Sequence, residues 1–164
     1  KAVETHKISV IHGEVAGFQK QGRTLEVALI ENEGETMGVP FDLCILATGR
    51  FMSRGLERRS RVFQEPLCHL PLFCQDHRVD GQGAEGKMFM GDLVKKSYFD
   101  SHPLFSIGVR VDANMRPLDE KGELCCDNLW VAGSLIGDYS PSADGCGMGV
   151  AVGTGKLAGQ TRGQ

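Results

Sequence analysis

A chain of 164 residues with 41% hydrophobic and 24% charged residues has the composition of a folded domain rather than of a disordered segment. Its formal charge of −3 argues against nucleic acid as the main partner. No apolar run reaches the roughly 20 residues of a membrane span, so we expect no transmembrane segment. The chain starts at Lys1 almost directly in a strand-like segment, and we expect it to be a fragment of a longer protein.

The amino-terminal part of the chain has the pattern of an antiparallel β-meander. Residues 8–18, ISVIHGEVAGF, are β-branched and apolar with glycine interruptions, which predicts a strand with room for a bulge. Apolar and polar residues alternate at 24–30 and again at 36–41, and a turn signal at 32–35 separates the two stretches. We therefore expect three strands joined by short turns.

Two later segments predict parallel strands that end in small residues. DLCILATG at 42–49 is a continuous apolar run, which is typical of a strand buried on both faces in a sheet covered by helices. NLWVAG at 128–133 repeats the pattern. Because ligands in open α/β sheets bind at the carboxyl ends of the strands, these two ends are the predicted ligand side of the sheet.

The stretch between these strands is less regular. We predict a short helix at 53–61, a loop at 80–86, a second short helix at 92–99 and a strand within 102–112. The alternation in that strand predicts one apolar face, formed by Phe105, Ile107, Val109 and Val111.

The segment GDYSPSADGCGMGVAVGTGKLAG, residues 137–159, is rich in glycine. Gly153, Gly155 and Ala158 match a G-x-G-x-x-A dinucleotide fingerprint, but no predicted strand lies directly before them, so we reject a pyrophosphate loop here. Glycines four residues apart favour a helix from about 147 to 159. Since each glycine costs a helix about 1 kcal/mol relative to alanine, such a helix needs a sheet or a ligand close to its backbone.

The cysteines carry no recognisable metal or disulfide pattern. They form no C-x-x-C pair, and no histidine pair has zinc-finger spacing, so we expect no metal site. We interpret them as reduced thiols that act as small apolar residues: Cys44, Cys68, Cys74, Cys125, Cys126 and Cys146.

Several segments resemble one known class of enzymes. DLCILATG resembles the strand and Ala-Thr-Gly turn that precede the flavin in FAD-dependent oxidoreductases, and the segment from NLWVAG to KLAG resembles their closing strand, loop and helix. More narrowly, GRFMSRGL, QEPLCHLPL, HPLFSIGVRVDANMRPLDEKG and GDYSPSADGCGMGVAVGTG together resemble the B subunit of anaerobic glycerol-3-phosphate dehydrogenases. The resemblance spans roughly residues 40–162.

The resemblance implies a fold and an organisation. The fold class is α/β, or α+β within this chain: a partial FAD/NAD(P)-binding Rossmann-like fold with an antiparallel β-meander. The family's own G-x-G-x-x-G strand for the FAD pyrophosphate has no counterpart here, so we expect a single carboxyl-terminal fragment that is inactive alone. Its implied parts are a meander with the Ala-Thr-Gly strand, a substrate or cap-like region, and a closing strand with the glycine-rich helix, at residues 1–50, 51–127 and 128–164.

The resemblance also implies the cofactor contacts. The strand ends would lie along the flavin, and backbone N–H groups at the helix start would stabilise negative charge near N1 and O2 of its ring. The implied cofactor-binding residues are Ala47, Thr48, Gly49, Gly133, Ser134, Gly145, Cys146, Gly147, Met148 and Gly149. The cofactor would be FAD or FMN in the intact protein, and this chain alone would keep it poorly or not at all.

Candidates on the substrate side follow from the chemistry of a phosphorylated alcohol. The phosphate needs cationic partners, and the candidates are Arg50, Arg54, His102, Arg110 and Arg116. We take His102 and Arg110 as the candidate catalytic residues, His102 as acceptor of a hydroxyl proton. The alternatives stay open: His102 as a hydrogen-bonding residue without a catalytic task, and Arg110 as a solvated or ion-paired side chain.

The implied function is the oxidation of glycerol 3-phosphate to dihydroxyacetone phosphate, with electrons passed to a respiratory acceptor. The implied partners are a sister catalytic subunit and an iron–sulfur, membrane-associated subunit, and the implied location is the cytoplasm, at or near the inner face of the cytoplasmic membrane. Two alternatives remain: another FAD-dependent oxidoreductase of the fumarate reductase or tRNA-modification kind, and a non-catalytic flavin-carrying subunit for electron relay or assembly. A basic cluster, interpreted as a solvated helix face or as a partner-docking surface, comprises Arg54, Arg58, Arg59 and Arg61.

Overall fold

The structure is a computed structural model that describes residues 8–59, 62–75, 77–79, 90–97 and 100–160. The strands are β1 Glu14–Gln21, β2 Thr24–Asn32, β3 Glu35–Pro40, β4 Cys44–Leu46, β5 Glu57–Arg59, β6 Val62–Gln64, β7 Leu72–Cys74, β8 His77–Arg78, β9 Gly108–Val109 and β10 Leu129–Val131. The α-helices are α1 Met90–Leu93, α2 Pro141–Asp144 and α3 Gly147–Gln160, which we call the glycine helix. Short 3-10 helices lie at Phe51–Ser53, Pro103–Ser106 and Gly133–Leu135.

The predicted antiparallel meander is confirmed. Strands β1, β2 and β3 pair in that order, and both pairings are antiparallel. Register shifts between Val15 and Gly17 and between Gln19 and Lys20 show that β1 is bulged. The turn between β2 and β3 has positive φ at Glu33 (50°) and at the glycine after it (86°), as two-residue hairpin turns require.

The start of the first strand was predicted too early. Strand β1 begins at Glu14, and the apolar residues before it are exposed, among them Ile8, Val10 and Ile11. Among the described residues no strand pairs with this segment. Its β-branched composition therefore indicates an extended conformation but not membership of a sheet.

The two strands that end in small residues are parallel, as predicted, and they pair with each other. Strand β10 lies parallel to β4, with Leu129 opposite Cys44 and Val131 opposite Leu46. The prediction of burial on both faces is wrong for one of them. Leu46, Leu129 and Val131 are buried, whereas Ile45 is 41% exposed because the described residues cover its side of the sheet only in part.

The helix predicted at 53–61 is wrong over residues 54–59, since Ser53 is the last residue of a 3-10 helix, and residues 60–61 lie outside the described part of the chain. Residues Glu57–Arg59 form β5, which pairs with β6 in an antiparallel hairpin. Arg54 ends the preceding 3-10 helix with a left-handed φ of 61°, which a helix cannot continue through. The backbone then turns so tightly at Gly55 that a Cβ there would lie 2.0 Å from the carbonyl oxygen of Gly49.

The segment around 92–112 differs from its predictions in two places. Helix α1 ends at Leu93, so the predicted helix at 92–99 is wrong over 94–97, and residues 98–99 lie outside the described part of the chain. The predicted strand at 102–112 opens with a 3-10 helix that begins at Pro103, which leaves Phe105 44% exposed. The predicted apolar face therefore starts at Ile107. The loop predicted at 80–86 also lies outside the described residues.

One hydrophobic core connects the meander with the strands that follow it. Its buried members come from both ends of the chain and include Leu25, Leu46, Leu56, Phe63, Leu72, Val109, Leu129, Val131 and Leu135. All six cysteines are free, and burial raises the pKa of Cys44 and Cys125 to about 11. These two thiols therefore stay protonated at neutral pH, as the sequence interpretation requires.

The described residues contain neither a metal-binding cluster nor a membrane-spanning helix. Over the described ranges between residues 8 and 160, no three or more histidine, cysteine, aspartate or glutamate side chains are arranged to hold a metal ion. Within the same ranges, none of the helices combines the length and the apolar character that crossing a bilayer takes.

Glu65 organises the turn between β6 and β7 from inside the core. Its side chain is fully buried, and its carboxylate accepts backbone N–H groups from Leu67 (2.9 Å), Cys68 (2.8 Å) and Leu70 (3.3 Å). We expect Glu65→Gln to lower the free energy of unfolding by about 2 kcal/mol, because an amide places an NH2 group where one of these donors needs an acceptor. Urea denaturation measures this, with exposed Glu26→Gln as the control; equal midpoints for the two variants would contradict the assignment.

Candidate functional site

The carboxyl ends of the two parallel strands meet at one place. Strand β4 continues into Ala47, Thr48 and Gly49, and β10 continues into Ala132 and Gly133. The backbone N–H of Ala132 donates to the carbonyl of Leu46 over 3.0 Å, which extends the pairing to the strand ends. Gly49 and Gly133 then turn with positive φ values of 74° and 72°. Both turns need glycine for this left-handed backbone.

The two turns lie against each other. A Cβ built on Gly49 would come within 3.4 Å of Ser134 Oγ and 2.1 Å of Ser53 Oγ, so a side chain at position 49 has no room. The structure thus brings together the predicted residues from both strand ends: Ala47, Thr48, Gly49, Gly133 and Ser134.

The glycine helix is attached to the second of these turns through Thr154. Its hydroxyl oxygen accepts the backbone N–H of Gly133 over 2.8 Å, and the hydroxyl donates to the carbonyl of Val150 over 2.6 Å. The helix runs over Gly147–Gln160, which confirms the prediction of a helix from about 147 to 159. Sequence reasoning missed Thr154, because a single threonine within a helix carries no signal of a partner distant in sequence.

The start of the glycine helix follows a second, shorter helix that the sequence analysis missed. Ser140 caps α2: its Oγ accepts the N–H of Ala143 (3.3 Å), and its own N–H donates to the carboxylate of Asp144 (2.8 Å). The segment SPSAD, residues 140–144, carries the sequence signal for this reciprocal cap, with proline at the first helical position. Gly145 ends α2 with a left-handed φ of 63°.

The first turn of the glycine helix has backbone N–H donors without an acceptor inside the helix. The N–H of Val150 closes onto the carbonyl of Cys146 over 2.9 Å. The preceding N–H groups, at Gly147, Met148 and Gly149, come before that first helical bond and so have no acceptor within the helix. They point out of a helix start that favours negative charge. All five residues from 145 to 149 predicted to contact a cofactor lie in or next to this turn.

Four glycines of this helix face space that the described residues leave open. A Cβ added at Gly149, Gly153, Gly155 or Gly159 would have no described atom of a neighbouring segment within 4 Å, and Met148 is 84% exposed. Among the described residues of the helix, only Ala158 is buried. The close approach that so many glycines predict is therefore not supplied by the described part of this chain.

Buried polar atoms without a partner lie near the strand ends. Thr48 Oγ1, Arg50 Nε and the hydroxyl of Tyr139 are buried and have no hydrogen-bond partner among the described residues, and neither has Trp130 Nε1. A buried polar group without a partner costs stability unless a ligand or water satisfies it. A hydroxyl without a described partner, helix-start N–H donors and glycines left uncovered by the described residues are each features that a flat, hydrogen-bonding and partly anionic ring system can use.

Arg50 is held inside the structure. Its guanidinium donates to the carbonyl oxygens of Phe105, Ile136 (2.6 Å) and Tyr139 (3.1 Å), and it lies 4.7 Å from the centroid of the Tyr139 ring. Burial lowers the pKa of Arg50 from its ordinary value. Because main-chain carbonyls occupy three of its five N–H donors, Arg50 is a poor candidate for the substrate phosphate, contrary to the sequence expectation.

The other cationic candidates each have a contact of their own. His102 Nδ1 accepts the backbone N–H of Lys95 over 2.9 Å, and the Arg110 guanidinium lies 4.2 Å from the centroid of the Phe73 ring. Arg116 forms an ion pair with Asp112 at 2.8 Å, and Arg54, largely exposed, lies 3.8 Å from Glu14. In the described part of the chain these four contacts have four different partners.

A parallel strand pair whose carboxyl ends meet a glycine-rich helix is an arrangement typical of cofactor-binding α/β domains. A family profile described as FAD binding domain matches residues 16–150 of this chain. The match covers most of the chain, and the chain belongs to this family of FAD-binding domains. Comparison with solved structures gave no significant match.

Curated relatives share one name. The chain is 34% identical over 110 residues to the B subunit of anaerobic glycerol-3-phosphate dehydrogenase from Vibrio cholerae, a match that covers 67% of this chain and 22% of the relative. It is 32% identical over 111 residues to the B subunit from Aliivibrio fischeri, covering 68% and 22%. A probable B subunit of the same enzyme from Halobacterium salinarum is 29% identical over 135 residues, covering 82% and 29%. The chain thus matches less than a third of the length of these relatives.

Proposed function

We propose that this chain is the carboxyl-terminal, flavin-contacting part of a flavin-dependent dehydrogenase subunit that oxidises glycerol 3-phosphate to dihydroxyacetone phosphate. The names of the curated relatives and the FAD-binding family support this proposal. The observation that carries it is the set of glycines on the glycine helix that the described residues leave uncovered, beside two glycine turns at the ends of β4 and β10. Each of these glycines costs about 1 kcal/mol relative to alanine, and no described residue uses the space they leave.

The residues at the strand ends and the helix start fit FAD, which is also the cofactor in the family's description. FAD supplies the two-electron oxidation of an alcohol and passes the electrons on. The N–H groups of Gly147, Met148 and Gly149 would stabilise negative charge at the pyrimidine end of the ring. The Thr48 hydroxyl, buried without a partner among the described residues, would gain one, and Gly133 and Ser134 would lie toward the ribityl chain.

The same assignment explains what this chain lacks for holding the cofactor. We propose that β4 and β10 belong to a larger Rossmann-like sheet, in which a glycine-rich loop outside this chain binds the FAD pyrophosphate. Within this chain the proposed parts are the meander and first parallel strand (1–50), a substrate or cap-like region (51–127) and the closing strand with the glycine helix (128–164). Without the pyrophosphate loop, the chain is expected to bind flavin weakly and to be inactive.

The proposed roles on the substrate side belong to His102 and Arg110. Because Nδ1 of His102 accepts the Lys95 N–H, a hydroxyl proton of the substrate would have to go to Nε2. Arg110 is placed by the Phe73 ring under its guanidinium, and its proposed role is to bind the substrate phosphate. The support for these two roles is the chemistry of the side chains rather than a shared pocket.

The proposed assembly follows from the relatives, which are named as subunits of a larger enzyme. The partners would be a sister catalytic subunit and an iron–sulfur, membrane-associated subunit that passes electrons to a respiratory acceptor. The proposed location is the cytoplasm, including the inner face of the cytoplasmic membrane. One alternative within this assembly is a subunit that carries flavin for electron relay or assembly and leaves substrate chemistry to its sister.

A flavin spectrum of the full-length protein that contains this chain tests the proposal. We expect the purified protein to show flavin absorbance, and we expect anaerobic glycerol 3-phosphate to bleach it, with or without the sister subunit. A colourless protein would contradict the cofactor assignment. A yellow protein that the substrate bleaches neither alone nor with its sister would contradict the dehydrogenase function and leave the relay function.

A further inference from the structure

Arg50 joins three segments that are far apart in sequence. It follows the Gly49 turn directly, and its guanidinium reaches the carbonyls of Phe105, Ile136 and Tyr139. The first of these carbonyls lies in the 3-10 helix Pro103–Ser106, and the other two lie in the loop after β10. One side chain therefore ties the end of β4 to both neighbouring segments.

The loop that Arg50 holds leads into the glycine helix. Tyr139 is followed by Ser140, the cap of α2, and α2 is followed within three residues by the start of the glycine helix at Gly147. The loop has further backbone bonds to the β9 segment, from Gly137 N–H to Val109 (2.9 Å) and from Asp138 N–H to Ser106 (2.9 Å). The position and direction of the backbone at Tyr139 therefore influence where the glycine helix begins.

The shape of the arginine side chain suits this task. A planar guanidinium donates along fixed directions to several carbonyls at once, and its flat face stacks on the Tyr139 ring. A lysine ammonium is a single point of charge with no flat face. Placing a charged group where burial disfavours it is costly, so the contacts of Arg50 must offset that cost.

We propose that Arg50 is a positioning residue, which fixes the start of the glycine helix against the strand ends and thereby sets the affinity and the reduction potential of the flavin. This inference rests on the proposed function. If the helix start moves away from the ring, negative charge on the reduced flavin loses stabilisation. Flavin binding then weakens, and the midpoint potential becomes more negative.

The test uses Arg50→Lys in the full-length flavoprotein, with Arg54→Lys as the matched control. Arg54 is four positions away and largely exposed, with an ion pair at 3.8 Å. We expect Arg50→Lys to weaken flavin binding about tenfold, which is the size of losing about one hydrogen bond from a charged donor, and to lower the midpoint potential. We also expect faster amide exchange over residues 137–150 and unchanged exchange over β1–β3. Arg54→Lys should change none of these.

Each outcome of this test supports or contradicts the positioning role of Arg50. Faster exchange with unchanged flavin affinity and potential would overturn the positioning role and leave a structural one, and no change at all would overturn both. Should Arg50→Lys not fold, Tyr139→Leu removes the stacking partner but keeps the carbonyl. Smaller changes of flavin affinity and potential in the same directions support the proposal. The absence of any change in Tyr139→Leu overturns it. A wild-type protein without flavin would contradict the proposed function, whereas faster exchange in Arg50→Lys would still show that the arginine holds this loop.

Discussion

Replacing Gly149 with valine is expected to abolish flavin retention by the full-length protein without destabilising the apoprotein. No described atom lies within 4 Å of a Cβ at this position, so the new side chain meets nothing in this part of the chain. Valine is also no worse than glycine inside a helix. In the proposed site, however, two methyl groups would occupy the space of the flavin ring next to the helix-start N–H groups. Flavin absorbance per protein after gel filtration measures retention.

The matched control for this experiment is Gly159→Val, at the other end of the same helix. Position 159 is equally uncovered by the described residues, but it lies far from the helix start, so this variant should keep its flavin. Normal retention in Gly149→Val would remove the cofactor from this face of the helix. Loss of flavin together with a lower melting temperature of the apoprotein would instead indicate that another part of the protein packs against Gly149.

The sequence was sufficient where the signal is local. Alternation and turn residues predicted the meander, and the apolar runs that end in small residues predicted the parallel pair β4 and β10. The glycine spacing predicted the helix at Gly147–Gln160. Each of these strands and the helix depends on residues close together along the chain. An apolar or glycine pattern of period two or four therefore indicates them directly.

The sequence was insufficient where distant segments decide the outcome. The arginine-rich segment at 53–61 has the pattern of a short helix, but the left-handed residue Arg54 and the close approach of Gly55 to Gly49 force a reversal. The carbonyls that hold Arg50 are 55, 86 and 89 residues away along the chain, so nothing near position 50 distinguishes it from a phosphate-binding arginine. Composition and spacing describe which groups are present, and only the fold decides which of them are already in use.

Gly108→Ala is expected to destabilise the protein strongly, by about 4 kcal/mol, which is more than the loss expected for Glu65→Gln. Strand β9 passes the loop after β10 backbone to backbone: a Cβ on Gly108 would lie 2.4 Å from the amide nitrogen of Gly137 and 2.5 Å from the carbonyl oxygen of Leu135. Backbone atoms cannot rotate away as a flexible side chain can, so the two segments must separate. The hydrogen bond from Gly137 N–H to Val109 is then lost as well.

A graded series separates this overlap from a general effect of adding a methyl group. Gly91→Ala, in α1 with no described atom within 4 Å of the new Cβ, should be neutral or slightly stabilising. Gly137→Ala, whose Cβ would lie 3.0 to 3.1 Å from backbone atoms of Gly108, should cost less than Gly108→Ala. The urea midpoint should therefore decrease from Gly91→Ala to Gly137→Ala to Gly108→Ala. Equal midpoints for Gly91→Ala and Gly108→Ala would contradict the close approach of β9 to the loop after β10. Since the separated loop is the one that Arg50 holds, Gly108→Ala should also weaken flavin binding in whatever fraction remains folded.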